Sequence, residues 1–283
     1  KDYVGIIAPM ILEAALSPLT GVLNIGTERK TLYDYASKLN NVKPVKLTES
    51  SHTTPYDTSL NLQKWINYKS ENPTARPHTN CRVCGSSKLV KYLDLGLMPL
   101  ANNLEFTSKR AKEKERFPLQ VLFCQECGLA QLSVVIDPVK MYGYYTYRSG
   151  VNEPYVHHCM NMAYSLLLKY AKHNVFHIDI AGNDGTLLNE FQKIVKEKFE
   201  LEYRCLNVDP ASNLTAISEA NGIPAITDFW GGGVAFDIEL EHGKADLITA
   251  TNVFAHVDDI VKFLICCDGI LNPDGILVIE CPY

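Results

Sequence analysis

Four of the nine cysteines form two Cys-x-x-Cys pairs, and a glycine follows each pair. Two thiolates on one tight turn can face a single point, because the glycine permits the backbone to bend. We therefore predict a structural zinc ion held by Cys81, Cys84, Cys124 and Cys127, which would form a tetrahedral four-sulfur shell. Such a closed shell has no open position, so we expect no catalysis at the metal. Free buried thiols or a redox-active pair are the alternatives.

We interpret the other five cysteines, at positions 159, 205, 266, 267 and 281, as small apolar residues of the core. An odd total is not typical of a secreted disulfide framework, so we expect a reducing compartment, the cytoplasm. His157 and His158 precede Cys159 and are compatible with a second metal site. A solvated helix start is the simpler interpretation.

A second segment with potential chemistry is DIAGNDGT, residues 179–186, where an apolar strand turns into a helix. Gly182 and Gly185 would let the backbone pass close to a ligand, but the G-x-G-x-x-G fingerprint of dinucleotide sites is not met. Asp209 ends the next strand, where a carboxylate can bind both hydroxyls of a ribose. A ligand with a ribose and no pyrophosphate fits this pattern, and S-adenosylmethionine (SAM) is such a ligand.

Two further strand ends could complete the SAM site. Asp228 and Phe229 follow a short third strand and could hold the edge and face of an adenine, whereas Asn252 and His256 follow the fourth. Ligands bind at this rim of parallel sheets. For each residue a capping or loop role is the alternative, and His256 could simply cap the helix that begins near Asp258. The predicted cofactor-binding residues are Asp179, Gly182, Asn183, Asp184, Gly185, Asp209, Asp228, Phe229 and Asn252.

The elements that must position these residues alternate between strands and helices from about residue 151 onward. We predict strands at 176–181, 203–208, 225–226, 246–251 and 275–281, and helices at 160–170, 186–198, 214–221 and 258–271. Such alternation predicts an α/β fold with a Rossmann-like parallel sheet of five strands. The predicted organisation is an N-terminal α/β fragment (1–70), a linker (71–80), a zinc-binding module (81–150) and a SAM-binding domain (151–283).

Charge and hydropathy exclude some partners. The formal net charge is −5, so no overall basic field attracts nucleic acid or an anionic membrane. The dense cationic run Lys109–Arg116 contains Glu113 and Glu115, and we interpret it as a solvated helix face. No uninterrupted apolar run is long enough to predict a transmembrane helix.

After the two cysteine pairs, the chain carries in order MYGYYTYRSG, HIDIAGNDGTLL, NVDPASNL, ITDFW, ATNVFAHVDD and LNPDGILVIECPY. With these motifs, residues 78–283 resemble the sugar C-methyltransferases. The resemblance implies a zinc-binding module, a class I methyltransferase domain and a further C-terminal domain. It also implies SAM as the cofactor and a nucleotide-linked (dTDP-type) deoxy keto-sugar as the substrate.

The same resemblance implies that a proton leaves the carbon beside the keto group and that the resulting enolate attacks the SAM methyl group. Tyr145 and Tyr147, with Arg148 and Ser149 beside them, are candidates to orient the sugar or stabilise charge, and His256 is a further catalytic candidate. Ordinary packing is the alternative for the tyrosines. In that family the proposed base lies in a motif that would follow Tyr283, so we expect this chain to be a fragment of a longer enzyme.

The first 70 residues resemble a different group. GVLNIGTERKTLYDYA and PYDTSLNLQKW are similar to the C-terminal end of dTDP-4-dehydrorhamnose reductase-like enzymes. A fusion of consecutive sugar-pathway enzymes is the hypothesis that follows. Two alternatives to a sugar C-methyltransferase stay open: a methyltransferase of RNA or protein, and a zinc-containing SAM-binding fragment without activity.

Overall fold

The computed structural model of the protein describes residues 75–170 and 172–282. The predicted reductase-like fragment, residues 1–70, lies outside the described residues, as does the start of the predicted linker. Among the described residues, no helix is long and apolar enough to cross a membrane.

The first region of the described chain is built from short strands. Its elements are β1 (Ala75–Pro77), β2 (Leu89–Met98), α1 (Ser108–Lys112), β3 (Phe117–Cys124), β4 (Ala130–Leu132), β5 (Val134–Ile136) and α2 (Pro138–Tyr142). Strands β2, β3 and β4 form an antiparallel sheet, and β1 pairs with β5. Part of the predicted linker is therefore paired as a strand. The cationic run begins as a helix with an exposed surface, but α1 ends at Lys112.

The second region alternates between strands and helices. Its elements are a 3₁₀ turn (Ser149–Val151), α3 (Glu153–Tyr170), β6 (Asn174–Ile180), α4 (Thr186–Lys198), β7 (Glu202–Val208), α5 (Ser212–Ala220), β8 (Ala225–Ile226), α6 (Gly232–His242), β9 (Ala245–Thr251), a 3₁₀ turn (Phe254–His256), α7 (Ile260–Ile270) and β10 (Leu271–Glu280). The strands form one parallel sheet in the order β10-β9-β6-β7-β8. The prediction of a five-stranded parallel sheet is confirmed.

The two faces of this sheet carry different side chains, because successive strand residues point to opposite sides. Phe176, Ile178 and Ile180 pack with α6 and α7 in an apolar cluster. On the opposite face, α3 and α4 form a second cluster around Phe191. His177, in contact with Phe191, and Asp179 lie on that second face and are fully buried. Polar groups therefore lie inside the layer that covers one face of the sheet.

Helix α6 was not predicted from the sequence. It begins with glycines, which have poor intrinsic helix propensity. Ala235 and Ile238 are buried in the core, so tertiary packing stabilises this helix where local propensity does not.

The prediction for the five remaining cysteines holds for four of them. Cys159, Cys205, Cys266 and Cys267 are buried, but Cys281 is exposed. It follows the last residue of β10 and lies beyond the paired part of the sheet.

Candidate metal centre and cofactor site

The sulfur atoms of the four predicted zinc ligands lie within 4.8 Å of one another. The Sγ atoms of Cys81 and Cys127 are 3.5 Å apart, and those of Cys84 and Cys124 are 3.6 Å apart. A tetrahedral zinc ion with Zn–S bonds of about 2.3 Å needs sulfur atoms about 3.8 Å apart. The donor set therefore fits zinc in number, type and spacing.

Backbone geometry explains how the two pairs meet. Gly85 and Gly128 have positive φ angles of 73° and 79°, and each amide donates to the carbonyl of the first cysteine of its pair at 2.9 Å. Pairing of β2 with β3 places Cys124 opposite Leu89 and so beside the first turn. Burial opposes ionisation of Cys81, but the N–H groups of Cys84 and Val83 lower its pKa to about 6. Burial and hydrogen bonds among the thiols raise the pKa of Cys84 and of Cys127, so the thiolate, which is the metal-binding form, is favoured first at Cys81.

The predicted cofactor segment follows β6 as a turn with strained backbone. Ala181 and Asn183 both have φ angles of 56°, and Gly185 has a φ of 77°. A Cβ atom added at Gly182 would lie 2.6 Å from Asp179 Oδ2 and 2.6 Å from Asn207 Oδ1. Only glycine leaves room for these two oxygens, neither of which has a hydrogen-bond partner among the described residues.

Asp209 connects this turn to the end of β7. Its Oδ2 accepts from the Asn183 amide at 2.9 Å, and its Oδ1 accepts from the Ala211 amide at 2.8 Å. Burial raises the pKa of Asp209, whereas the two amides act in the opposite direction. A carboxylate oxygen can accept more than one hydrogen bond, so this group retains capacity to bind ligand hydroxyls.

The Asn183 side chain holds the Tyr-Arg-Ser-Gly segment against the turn. Its Oδ1 accepts from the Ser149 amide at 3.0 Å, and its Nδ2 donates to the Tyr147 carbonyl at 3.1 Å. The structure thus brings two predicted parts of the site together through an amide that was expected to contact the cofactor.

The Asp184 carboxylate is buried and uses both oxygens within the protein. Oδ1 accepts from the Thr186 hydroxyl at 2.6 Å, and Oδ2 accepts from the Gly150 amide at 3.1 Å. The Arg148 Nε lies 3.5 Å from the same Oδ2. In this arrangement Asp184 orders the site.

A buried chain of polar side chains ends at Asp179. The Thr249 hydroxyl donates to Asp179 Oδ1 at 2.6 Å and lies 2.8 Å from His177 Nε2. His177 Nδ1 lies 2.7 Å from the Tyr203 hydroxyl. Because the Thr249 proton is directed at Asp179, the chain requires His177 to donate from Nε2 and accept at Nδ1. The Thr249–Asp179 hydrogen bond thereby selects one tautomer of His177, and the Tyr203 hydroxyl donates to its Nδ1.

Burial determines the charge state of this chain. It lowers the pKa of His177 to about 3, so the imidazole is neutral. It also raises the pKa of Asp179 to about 7, although the Thr249 hydroxyl opposes that change and Asp209 adds to it. Sequence analysis missed His177 and Thr249. The available signal was the alternation of polar and apolar residues in HIDI, within a strand otherwise expected to be buried on both faces.

The predicted adenine-binding residues lie at the neighbouring strand end. Asp228 is exposed, Phe229 is half-buried, and the Phe229 amide donates to Asp228 Oδ1 at 2.7 Å. Strand β8 pairs with β7, so both residues lie on the same edge of the sheet as Asp209.

Asn252 and His256 lie on the connection that leaves β9. Asn252 has a φ of 57°, and its amide donates to the Glu280 carbonyl at 2.8 Å. His256 is exposed, and its ring centroid lies 6.2 Å from that of Tyr142. Asp259, whose side chain accepts from the Lys262 amide, caps α7 in place of His256.

The two tyrosines differ in their surroundings. The Tyr145 amide donates to Asn213 Oδ1 at 3.1 Å, and Asn213 Nδ2 donates to the Tyr145 carbonyl at 2.8 Å. The Tyr145 hydroxyl accepts from Asn102 Nδ2 at 3.0 Å. Tyr147 is 42% exposed. The structure therefore anchors Tyr145 at the joint between the two regions and leaves Tyr147 more accessible.

Comparison with known proteins agrees with this division. Residues 81–142 match the family model of a zinc binding domain, and residues 178–279 match that of a methyltransferase domain. The C-methyltransferase NovU of Streptomyces niveus is 32% identical over 212 residues, which cover 74% of this chain and 48% of NovU. The chain thus spans about half the length of this curated relative.

Two solved structures are more distant. The plantazolicin methyltransferase BpumL in complex with SAH is 14% identical, covering 45% of this chain and 46% of its own, with a TM-score of 0.34. A SAM-dependent methyltransferase from Clostridium acetobutylicum is 14% identical, covering 44% and 49%, with a TM-score of 0.33. The assignment rests on the family models and on the sequence relative.

The zinc-binding domain and the parallel sheet define the class of the described region: a zinc module followed by a class I SAM-dependent methyltransferase domain. Zinc and SAM are the cofactors that these two domains require. Within that class, the similarity to NovU supports a family of C-methyltransferases.

Proposed function

We propose that this chain supplies the zinc-binding and SAM-binding parts of an enzyme that methylates a carbon atom of a nucleotide-linked, dTDP-type deoxy keto-sugar. The observation that carries the proposal is the attachment of the Asp209 carboxylate to the glycine turn by the Asn183 amide, at the carboxyl edge of a parallel sheet. The substrate class is supported by the resemblance of the motifs to sugar C-methyltransferases and by the relationship to NovU.

The proposed SAM site uses the residues predicted from the sequence. Asp209 binds the ribose hydroxyls, and Asp228 and Phe229 contact the adenine at the adjacent strand end. Gly182 and Gly185 keep the turn open to the methionine part of the cofactor. Asp179 and Asp184 have buried carboxylates and are proposed to stabilise the turn from inside the protein.

SAM supplies an electrophilic methyl group on a sulfonium ion. The sugar carbon beside the keto group loses a proton to a base, and the C–H electrons form an enolate. The enolate carbon then forms the new C–CH₃ bond as the S–CH₃ bond breaks, and the sulfur keeps the electron pair. Donors close to the keto oxygen stabilise the enolate charge.

The residues proposed to bind the sugar nucleotide lie on two connections at the same edge. Tyr147 and Arg148 lie on the segment held by Asn183, and the guanidinium is suited to two phosphate oxygens. His256 lies on the connection after β9, which begins with Asn252, a residue proposed to contact SAM. Tyr145, whose backbone is fixed by Asn213, orients this set.

The proposal is tested with the complete reading frame. Purified protein is given radiolabelled SAM and either a dTDP-4-keto-sugar or RNA. Label in the sugar supports the proposal, whereas label in RNA alone favours the nucleic-acid alternative. Heat on titration with S-adenosylhomocysteine (SAH), with no label in either substrate, would favour the inactive alternative, which binds SAM without turnover. Asp209→Asn should abolish the heat, and Asp237→Asn, on the exposed surface of α6, is the matched control.

A further inference from the structure

Arg82 links the first zinc turn to the proposed substrate edge. It lies between the two ligands of the Cys81–Cys84 pair, and its Nη1 donates to the Val257 carbonyl at 2.6 Å. These residues are 175 positions apart in the chain. Val257 directly follows the 3₁₀ turn Phe254–His256, on the connection between β9 and α7.

The Arg82 backbone is itself held in place. Its amide donates to Gln131 Oε1 at 2.9 Å, and Gln131 Nε2 donates to the Asn80 carbonyl at 3.1 Å. Gln131 is 3% exposed, so this bridge lies inside the zinc-binding region. With metal-bound sulfurs on both sides, the base of the Arg82 side chain cannot shift without distorting the metal shell.

The connection between β9 and α7 also packs on the core through Val253, Phe254 and Val257, and its 3₁₀ turn has its own backbone hydrogen bonds. The Asn252 amide binds the Glu280 carbonyl at its start, and Asp259 caps α7 at its end. From the zinc-binding region, Arg76 also binds Asp258 at 3.0 Å, and His78 Nε2 lies 3.6 Å from the same carboxylate. The Arg76 and Asp258 side chains are 57% and 41% exposed, and ion pairs with that exposure contribute little. The part-buried bond from a charged donor to the Val257 carbonyl is the stronger contact.

We propose that Arg82 is a positioning residue that couples zinc binding to the conformation of residues 252–258, and so to the substrate edge of the methyltransferase domain. The zinc ion then acts on the reaction through this one side chain and not by contact with the substrate. The effect on substrate binding rests on the proposed function, but the coupling itself does not.

The coupling is tested by hydrogen exchange of peptides that cover residues 252–258, in the complete protein with and without a zinc chelator. Arg82→Met keeps the aliphatic stem and removes every donor. Arg110→Met, on the exposed α1 of the same region, is the matched control. Arg82→Lys restores one donor.

In the wild type and the control, chelation should speed exchange of 252–258 on the order of tenfold, as expected for the loss of a local restraint. Zinc-loaded Arg82→Met should already show that faster exchange, and chelation should add less than about twofold, because two changes that act through one contact are not additive. Arg82→Lys should fall between the two.

Substrate kinetics provide the second measurement. Arg82→Met should raise KM for the sugar on the order of tenfold and change SAH affinity much less, because of the predicted cofactor-binding residues only Asn252 lies within 252–258. Failure of wild-type methyl transfer would overturn the proposed function without altering the exchange result.

Three outcomes would overturn the coupling. The first is wild-type exchange in zinc-loaded Arg82→Met. The second is an equal response of that variant and the wild type to chelation. The third is loss of zinc from a folded Arg82→Met protein, which would assign Arg82 to the metal site alone.

Discussion

The two described regions are held together in different ways. In residues 75–142 the buried apolar side chains are Cys81, Phe117 and Cys124, and two of these three are zinc ligands. Strand β2 has no buried residue, and its Tyr92 and Leu97 are about 60% exposed. The parallel sheet, in contrast, lies between two continuous apolar clusters.

The contrast shows what zinc contributes. A small sheet with so few buried side chains cannot offset the conformational entropy of its own chain, so metal ligation must supply much of its stability. The methyltransferase region has sufficient apolar burial, and its polar groups are free to serve the site. Metal removal should therefore affect the two regions very unequally.

Loss of zinc is expected to have the largest effect, because structural zinc contributes on the order of 10 kcal/mol of apparent binding free energy at neutral pH. Cys124→Ser or chelation should abolish hydrogen-exchange protection in β2, β3 and β4. Strands β6, β7 and β9 should stay protected. Cys281→Ser, which changes an exposed cysteine outside the metal shell, is the control. Equal loss of protection in both regions would contradict the inference that zinc stabilises the first region far more than the parallel sheet.

Gly182→Ala tests the close packing of the methyltransferase region. The added Cβ would lie 2.6 Å from two buried oxygens, and overpacking of this kind costs about 1–3 kcal/mol of unfolding free energy. SAH binding should also weaken by at least about tenfold. The turn must shift to accommodate the added methyl group, and a cost of about 1.4 kcal/mol corresponds to a tenfold change in affinity. Urea unfolding and calorimetry measure the two effects.

The control for that substitution is Gly233→Ala in α6. A Cβ at Gly233 meets nothing within 4 Å, and alanine favours a helix by up to about 1 kcal/mol over glycine. Equal effects of the two substitutions would contradict a tightly packed turn.

Asp179 predicts a pH dependence of stability. Burial raises its pKa to about 7 from 3.8, so its contribution to stability is complete below about pH 3.8 and is lost as the pH rises through 7. Between pH 5 and 7 this one group should lower the free energy of unfolding by about 2 kcal/mol, with a slope that approaches 1.4 kcal/mol per pH unit near pH 5.

The measurement is urea unfolding at several pH values. Asp179→Asn should remove this component of the slope, because an amide does not titrate, while Asp228→Asn at the surface should retain it. A slope that is the same in Asp179→Asn and the wild type would contradict the assignment.

The smallest effect is expected where the two regions meet at the surface. Arg76→Ala breaks an exposed ion pair with Asp258, and such pairs contribute about 0.2–1 kcal/mol. A double-mutant cycle with Asp258→Ala measures the pair directly. A coupling energy above about 2 kcal/mol would show that this pair, and not Arg82 alone, joins the regions.

Much of the fold could be predicted because its signals are local. The spacing in Cys81-x-x-Cys84 and the alternation of strands and helices are readable within a few residues, and α4 and β8 have the predicted bounds. Helix α6 was missed because its glycines hide a helix that tertiary packing stabilises. The start of α3 at Glu153 was also missed, since its first turns are polar.

By itself, the sequence determined the residue types that bind zinc, the parallel sheet and the turn that is proposed to bind SAM. Only the tertiary structure decided what each polar group does. In the folded chain, Asp184 accepts hydrogen bonds from Gly150 and Thr186. His177 is hydrogen-bonded to Thr249, and Arg82 donates to the Val257 carbonyl. The physical reason is distance along the chain: periodicity and spacing report on neighbours within one element, whereas most of these bonds join elements that only folding brings together.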